Sequence, residues 1–277
     1  VKKLGGTAVQ GDVHAIDDVT RHANGADVVI HAITAIPSGF DVRRASAWEA
    51  NDRARVEDTR TLSEVAARVG ASVYLQQSVA WVVKRAVGDP AYDEATSPNP
   101  PRLLASALEG ERIARAAGTQ HGFAVGVLRG GAFYGADTAQ SQSFAADLRA
   151  RRLPNIGDGQ TLVAPIHVDD MAAAFVLAAH SRQDGLWHVV DDAPLPFATL
   201  LRLFASAIGA PAPRRVPTWL ARMLIGSDAI EAITTSMRTS NARIRRELGW
   251  SPRYAAFEEG VDAMVHEWRG AGTSLGR

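Results

Sequence analysis

ADVVIHAI, residues 26–33, is a short apolar run rich in β-branched side chains, and Asn24-Gly25 ahead of it marks a turn. Apolar on both faces, it reads as a strand buried between two layers, the pattern of a parallel sheet covered on each side by helices. The segments that follow keep the alternation. Residues from about Arg43 to Val69 have helical spacing, ASVYLQQSVAWVV (71–83) is strand-like, PRLLASALEGERIARAAG (101–118) is helical, and FAVGVLRG (123–130) is another buried strand. Strand alternating with helix predicts an α/β fold built on a doubly wound parallel sheet. Upstream, Gly11-Asp12-Val13 reads as the close of a strand, and Val1 to Gly6 as the middle of a helix and its stop.

After Tyr134 the texture changes. A helix around Ser143 to Arg151 leads into the Pro/Gly loop LPNIGDGQ (153–160). TLVAPIH (161–167) then reads as a strand, and Asp169-Asp170 as caps of an Ala-rich helix running to about His180. GLWHVVDD (185–192) is one more strand, and beyond it the chain is mostly helical. Phe197, Leu201, Phe204 and Ile208 share one helical face, as do Phe257, Val261, Met264 and Trp268, and Gly249 stops a short helix begun near Asn241. These stripes are core. The expected division is a sheet domain of residues 1–135, with 162–192 returning to it, beside a smaller substrate lobe of residues 136–161 and 193–277. A cleft between the two would take a ligand.

Composition narrows the partners. Thirty basic and thirty acidic side chains cancel over 277 residues, with no basic run or acidic tail, so neither nucleic acid nor an anionic membrane is the expected partner; a small molecule is. With no cysteine there is no disulfide, thiolate nucleophile or Cys-based zinc site, and the eight histidines never fall in a His-Glu-x-x-His pattern, so no metal site is argued. The longest apolar run, MAAAFVLAA (171–179), is far short of the roughly 18 residues that cross a bilayer. With no secretory signal visible, the chain reads as cytoplasmic.

In a doubly wound sheet ligands gather at the carboxyl ends of the strands. Gly11-Asp12-Val13, His31-Ala32-Ile33-Thr34, Gln77-Ser78 and RGGAFYG (129–135) stand at those ends. Small residues there let a flat ring approach the backbone, and a carboxylate such as Asp12 can accept from an exocyclic amine. Gly11 as a turn and Asp12 as a helix cap is the plainer alternative.

Taken in order, GDV, DVVIHAIT, the Ser78 that follows a strand, LRGGAFYG, PNIGDGQ, IHVDDMA and SNARIRRELGWSPRY resemble the extended short-chain dehydrogenase/reductase superfamily, in its NAD-dependent epimerase/dehydratase branch. The resemblance runs over nearly the whole chain and implies a Rossmann-like, N-terminally truncated sheet. Members open on a strand and a GxxGxxG turn that holds the cofactor pyrophosphate, which would occupy roughly 40 residues ahead of Val1. No such glycine pattern occurs in this sequence.

By the resemblance the cofactor is NAD or NADP, and the residue that separates them would precede Val1. Asp12 and Val13 would lie against adenine, His31, Ala32 and Ile33 would line the adenosine side, and Gln77 and Ser78 would approach the nicotinamide. Arg129, Gly130 and Gly131 would complete the cofactor wall, with Phe133 and Tyr134 turned toward the substrate lobe. The two long helices, 43–69 and 101–118, are where family members pair as homodimers.

The catalytic positions depart from the family. Members use a Tyr-x-x-x-Lys pair for acid-base chemistry, with a Glu four residues after the Lys. Anchoring on Glu111 puts Leu103 and Ala107 in the Tyr and Lys places; anchoring on Glu109 puts Pro101 and Ala105 there. The family Asn falls on Arg55 and a family Gly on Asp58, with Asn51 one turn before Arg55 on the same helical face. Ser78 alone is retained. Lys84 and Tyr92, in the loop after the Ser78 strand, could reach the site from another direction; a solvated Lys and a partly buried Tyr are the plainer reading. Nucleotide-sugar members carry an Arg four residues before the HVxD His, and here that residue is Val163. Arg214 and Arg215 are the substitutes for its charge on the substrate lobe, while His167 and Asp170 read as fixing a strand-to-helix corner. Two functions follow: an atypical NAD(P)-dependent oxidoreductase or epimerase-like enzyme acting on a small carbonyl or sugar-like substrate, or a catalytically inactive NAD(P)-binding sensor or scaffold.

Overall fold

The structure, a computed structural model, describes residues 5–37, 41 and 44–270. The expected helix end at residues 1–4 and the helix start at Arg43 lie outside the described residues. Along the chain come α1 (Ile16–His22), β1 (Val28–His31), α2 (Ala45–Val69), β2 (Val73–Val79), α3 (Ala105–His121), β3 (Ala124–Gly130), β4 (Ala132–Tyr134), α4 (Ala139–Arg149), β5 (Asn155–Ile156) and β6 (Leu162–Val163). There follow β7 (Pro165–His167), α5 (Val168–Ser181), β8 (Gly185–Val189), β9 (Leu195–Pro196), α6 (Phe197–Ala207), β10 (Arg215–Val216), α7 (Thr218–Ile225), α8 (Ser227–Thr234), α9 (Ala242–Leu248) and α10 (Phe257–Gly270).

The apolar runs form the central sheet, as expected. β1, β2, β3 and β8 lie side by side in that order, all parallel, with Val28 opposite Val73, Val73 opposite Ala124 and Gly126 opposite Gly185. Alternate residues feed two cores. Val73, Leu75, Leu128 and Trp187 pack with Ala174 and Ala178 of α5 and with Trp250, while Tyr74, Val125 and Val127 pack with Ala66 of α2 and Ala114 of α3. Parallel strands require such crossover helices, which is why both faces are apolar. α2 runs without Gly or Pro and ends at Gly70, whose left-handed backbone (φ 71°) lets its N–H reach Ala66 O.

Residues 6–12 form no strand, which corrects the expectation that Gly11-Asp12-Val13 closes one. A strand exists only by pairing, and the outer edge of β1 has no partner among the described residues. Ile30 on that strand is 47% exposed.

Tyr134, Leu148, Val163, Leu201, Phe204, Phe257, Met264 and Trp268 form a separate core on the far side of the sheet's carboxyl edge. α4 is set by Thr138, whose side chain accepts from Ser141 N at 3.2 Å. Thr138→Ala is expected to cost about 1 kcal/mol, read as a small drop in unfolding midpoint. No described helix is long and apolar enough to cross a membrane, and no described group of His, Cys, Asp and Glu could hold a metal ion.

Candidate active site at the carboxyl ends of the strands

Ser78 lies near the end of β2, opposite Arg129 of β3. Its hydroxyl donates to Glu111 Oε1 at 2.6 Å, and the Arg129 guanidinium grips the same carboxylate, Nε to Oε1 at 2.8 Å and Nη2 to Oε2 at 2.7 Å. All three residues are buried, so this two-pronged pair works in a low dielectric and fixes α3 against β2 and β3. Arg129 Nη1 lies 3.5 Å from His188 Nε2, and His188 Nδ1 lies 2.6 Å from Thr239 Oγ1, which donates to Tyr92 O at 2.9 Å. With the Thr239 proton committed to that carbonyl, Nδ1–H donates to Thr239 and Nε2 turns its lone pair toward Arg129. The imidazole is therefore neutral. Burial first, and the Arg129 charge second, hold its pKa down at about 3.

Tyr92 donates its phenol proton to Ala80 O at 2.7 Å, and burial pushes its pKa up. Lys84 pairs with Glu231 at 2.8 Å on the surface. Neither is hydrogen-bonded to Ser78. Of the two α3 carboxylates, Glu109 faces solvent beside Arg112 while Glu111 faces the core. Ala107, buried, stands one turn before Glu111, and Leu103 lies in the one-turn 3₁₀ segment Arg102–Leu104 ahead of it.

At the end of β1, His31 is buried and neutral: Nε2 donates to Ala54 O at 2.9 Å and Nδ1 accepts from Ile33 N at 3.2 Å, with burial lowering its pKa. It ties the strand to α2 and leaves Ala32 and Ile33 exposed. Asp12 is exposed, its Oδ1 accepting from His14 N at 2.9 Å, and Val13 beside it is half-buried. Gln77 is half-buried, its carbonyl accepting from Gln76 Nε2 at 3.1 Å.

The RGGAFYG segment owes its glycines to packing. A Cβ on Gly130 would run into the Phe133 ring, and one on Gly131 into the carbonyl of Ala164, which accepts from Ala132 N at 2.9 Å. Tyr134 is buried edge-on to His167 and Phe257, and its hydroxyl has no partner among the described residues. Arg215 binds the carbonyl of Gly157 through Nε, and Arg214 stands exposed beside it. His167 caps α5 by accepting from Asp169 N at 3.2 Å, while Asp170 accepts from Arg253 N at 2.7 Å and Tyr254 N at 3.1 Å.

Asn51 and Arg55 stand out. Both are buried on the inner face of α2, one turn apart. Asn51 Oδ1 accepts weakly from Ala35 N at 3.4 Å, but among the described residues its Nδ2 has no partner, and neither does Arg55 Nε. In the sequence Arg55 registers only as a departure from the family Asn; the structure makes it a buried cation. The exposed Ala32 and Ile33 leave room for a flat ring at the end of β1, and the unpartnered donors of Asn51 and Arg55 are chemically suited to a polar ligand, so the residues present are compatible with a dinucleotide. No described residue offers a phosphate cradle.

Residues 2–189 match the NAD dependent epimerase/dehydratase family. The 3-diazoavenalumate denitrifying reductase of a Streptomyces sp is 33% identical over 244 residues, 85% of this chain and 78% of that protein. Among solved structures, the fold is similar to DesIV, a dTDP-glucose 4,6-dehydratase from Streptomyces venezuelae with NAD and TYD bound, at TM-score 0.78 and 23% identity, covering 97% of this chain and 82% of that one. It is similar also to the human epimerase family protein SDR39U1 with NADPH, at TM-score 0.77 and 14% identity over 91% of this chain and 86% of that one. With the sequence match spanning most of the chain, this protein belongs to the NAD-dependent epimerase/dehydratase family.

Proposed function

We propose that the protein is a nicotinamide-dependent reductase for a substrate that accepts hydride without a proton from the enzyme, a diazo-bearing aryl acid being the class that fits. The face of α3 carries this reading. The burial of Glu111 against Ser78 and Arg129 favours it as the anchor, and in that register Ala107 and Leu103 take the places the resemblance gives to Lys and Tyr. Neither can hold or pass a proton. Reduction of a carbonyl leaves an alkoxide that must be protonated. A bound reduced nicotinamide supplies hydride, and at an aryl diazonium carbon hydride forms the C–H bond as dinitrogen leaves with the C–N electron pair, no proton being required. The relative at 33% identity, a denitrifying reductase by name, supports this class. Asp12, Val13, His31, Ala32 and Ile33 would hold the adenosine half, with Gln77 and the Ser78 backbone toward the nicotinamide. On the substrate side, Val163 lies buried in the lobe core, so no cation stands there for a sugar diphosphate.

The expected result is oxidation of NADH or NADPH matched by dinitrogen release from 4-carboxybenzenediazonium, at least tenfold above an enzyme-free blank, with deuteride from labelled cofactor on the aryl carbon. UDP-glucose and dTDP-glucose should give no turnover. Turnover of a nucleotide sugar with none of the diazo acid would overturn the reading. Cofactor binding with neither reaction would favour the sensor or scaffold alternative.

A further inference from the structure

A buried guanidinium is seldom left alone, because removing it from water costs several kcal/mol unless a counter-charge or full hydrogen bonding compensates. Arg55 is 4% exposed, yet its side chain makes no hydrogen bond and no ion pair within 4 Å to any described residue. None of the nearby described carboxylates forms an ion pair with it. Glu111 is held by Ser78 and Arg129, Asp58 lies 3.3 Å from His14 Nε2, and the exposed Asp52, one turn before Arg55, attracts the guanidinium without reaching ion-pair distance. His31, the remaining titratable neighbour, is neutral and bonded to Ala54 O.

The backbone explains why Arg55 stays at the site. Its carbonyl sits where a Cβ on Gly110 of α3 would be, and accepts from Thr59 Oγ1 at 2.7 Å, so α2 and α3 are in close contact at this residue. Gly110 lies between Ala107 and Glu111 on α3. The guanidinium also feels the Glu111 charge, which brings it within electrostatic reach of the face of α3 that carries Ala107. Asn51, 0% exposed and one turn earlier, adds an unpartnered N–H donor.

We propose that Arg55 and Asn51 form a binding site for a carboxylate, the anionic handle by which the substrate is held at the carboxyl ends of β1 and β2. A planar guanidinium matches a carboxylate with two parallel bonds, and a single negative charge suits a site near Asp52, Asp58 and Glu111 better than a phosphate dianion would. The inference deepens the reductase reading by naming the substrate's handle. Its test is binding rather than turnover, so the two can fail separately.

The test is a calorimetric titration of the full chain with cinnamate and with methyl cinnamate, its uncharged counterpart, with and without saturating NADPH. Wild type is expected to prefer the acid by tenfold or more in at least one condition. Arg55→Met should erase that preference, leaving ester affinity unchanged, and should melt at or above wild type because it removes a buried charge that no ion pair holds. Arg55→Lys, which keeps the charge and loses the fork, should lie between them. Equal binding of acid and ester by wild type, an acid preference that survives Arg55→Met, or an Arg55→Met chain that fails to fold would each overturn the proposal. Acid binding that depends on Arg55 in a protein with no reductase turnover would sustain it and remove the reductase reading.

Discussion

Arg129→Met should lower stability by about 3–5 kcal/mol, and the double variant Arg129→Met/Glu111→Leu should recover most of that loss. The single change removes one partner of a buried ion pair and strands the Glu111 carboxylate with only the Ser78 hydroxyl for company. For a chain of this size the loss corresponds to a midpoint roughly 10 °C lower. In the double variant no charge is left to desolvate, and two apolar side chains of similar reach fill the space between α3 and β3. Circular-dichroism melts of the three proteins decide it. A single variant within a degree or two of wild type would mean that water or another side chain rescues Glu111. The effect also bears on the candidate site, because this pair holds α3, which carries Ala107, against the sheet.

Much of this architecture is legible in the sequence. ADVVIHAI, ASVYLQQSV and FAVGVLRG are apolar on both faces, and no structure other than a covered parallel strand satisfies such short runs so closely followed by helices. The helix stop at Gly249 is equally plain, since its position takes a left-handed backbone. The supposed strand at Gly11-Asp12-Val13 shows the limit: local composition permits a strand, but pairing is non-local. The ion pair shows another limit. An arginine inside AVGVLRG must find a partner, and that necessity can be read, but which of Glu109 and Glu111 turns inward depends on how α3 rotates when it packs. Likewise Gly130 and Gly131 suggest room for a ring of the cofactor, whereas Phe133 and the Ala164 carbonyl occupy the space a Cβ would need. Small residues look alike in sequence whichever neighbour approaches them.

The second large effect concerns Asp191, at the end of β8, where the sheet meets the far-side core. It is 1% exposed, Oδ1 accepts from Ala193 N at 3.2 Å, and Oδ2 has no partner among the described residues. Burial pushes its pKa up to about 8, against one backbone hydrogen bond, with the Asp192 and Asp170 charges pushing the same way as burial. A carboxyl whose pKa rises on folding binds more protons folded than unfolded, so stability falls as pH rises. The penalty is absent below about pH 4, where both states are protonated, grows through the interval up to about pH 8, and is constant above it. Asp191→Asn keeps the shape and the Oδ1 acceptor but cannot ionise. The variant should therefore match wild type near pH 4 and exceed it by a few kcal/mol at pH 8.5, the gap widening by about 1.4 kcal/mol for each pH unit crossed between the unfolded and folded pKa. Urea unfolding of both proteins at half-unit steps between those limits measures this directly. A difference that does not change with pH would show that Asp191 is ionised throughout and compensated by a bound water or cation. A difference of the opposite sign would mean that the charge itself is stabilising, with Oδ2 paired in solution. Growth of the gap with pH would instead establish that the junction beside the proposed active site holds a protonated carboxyl at neutral pH.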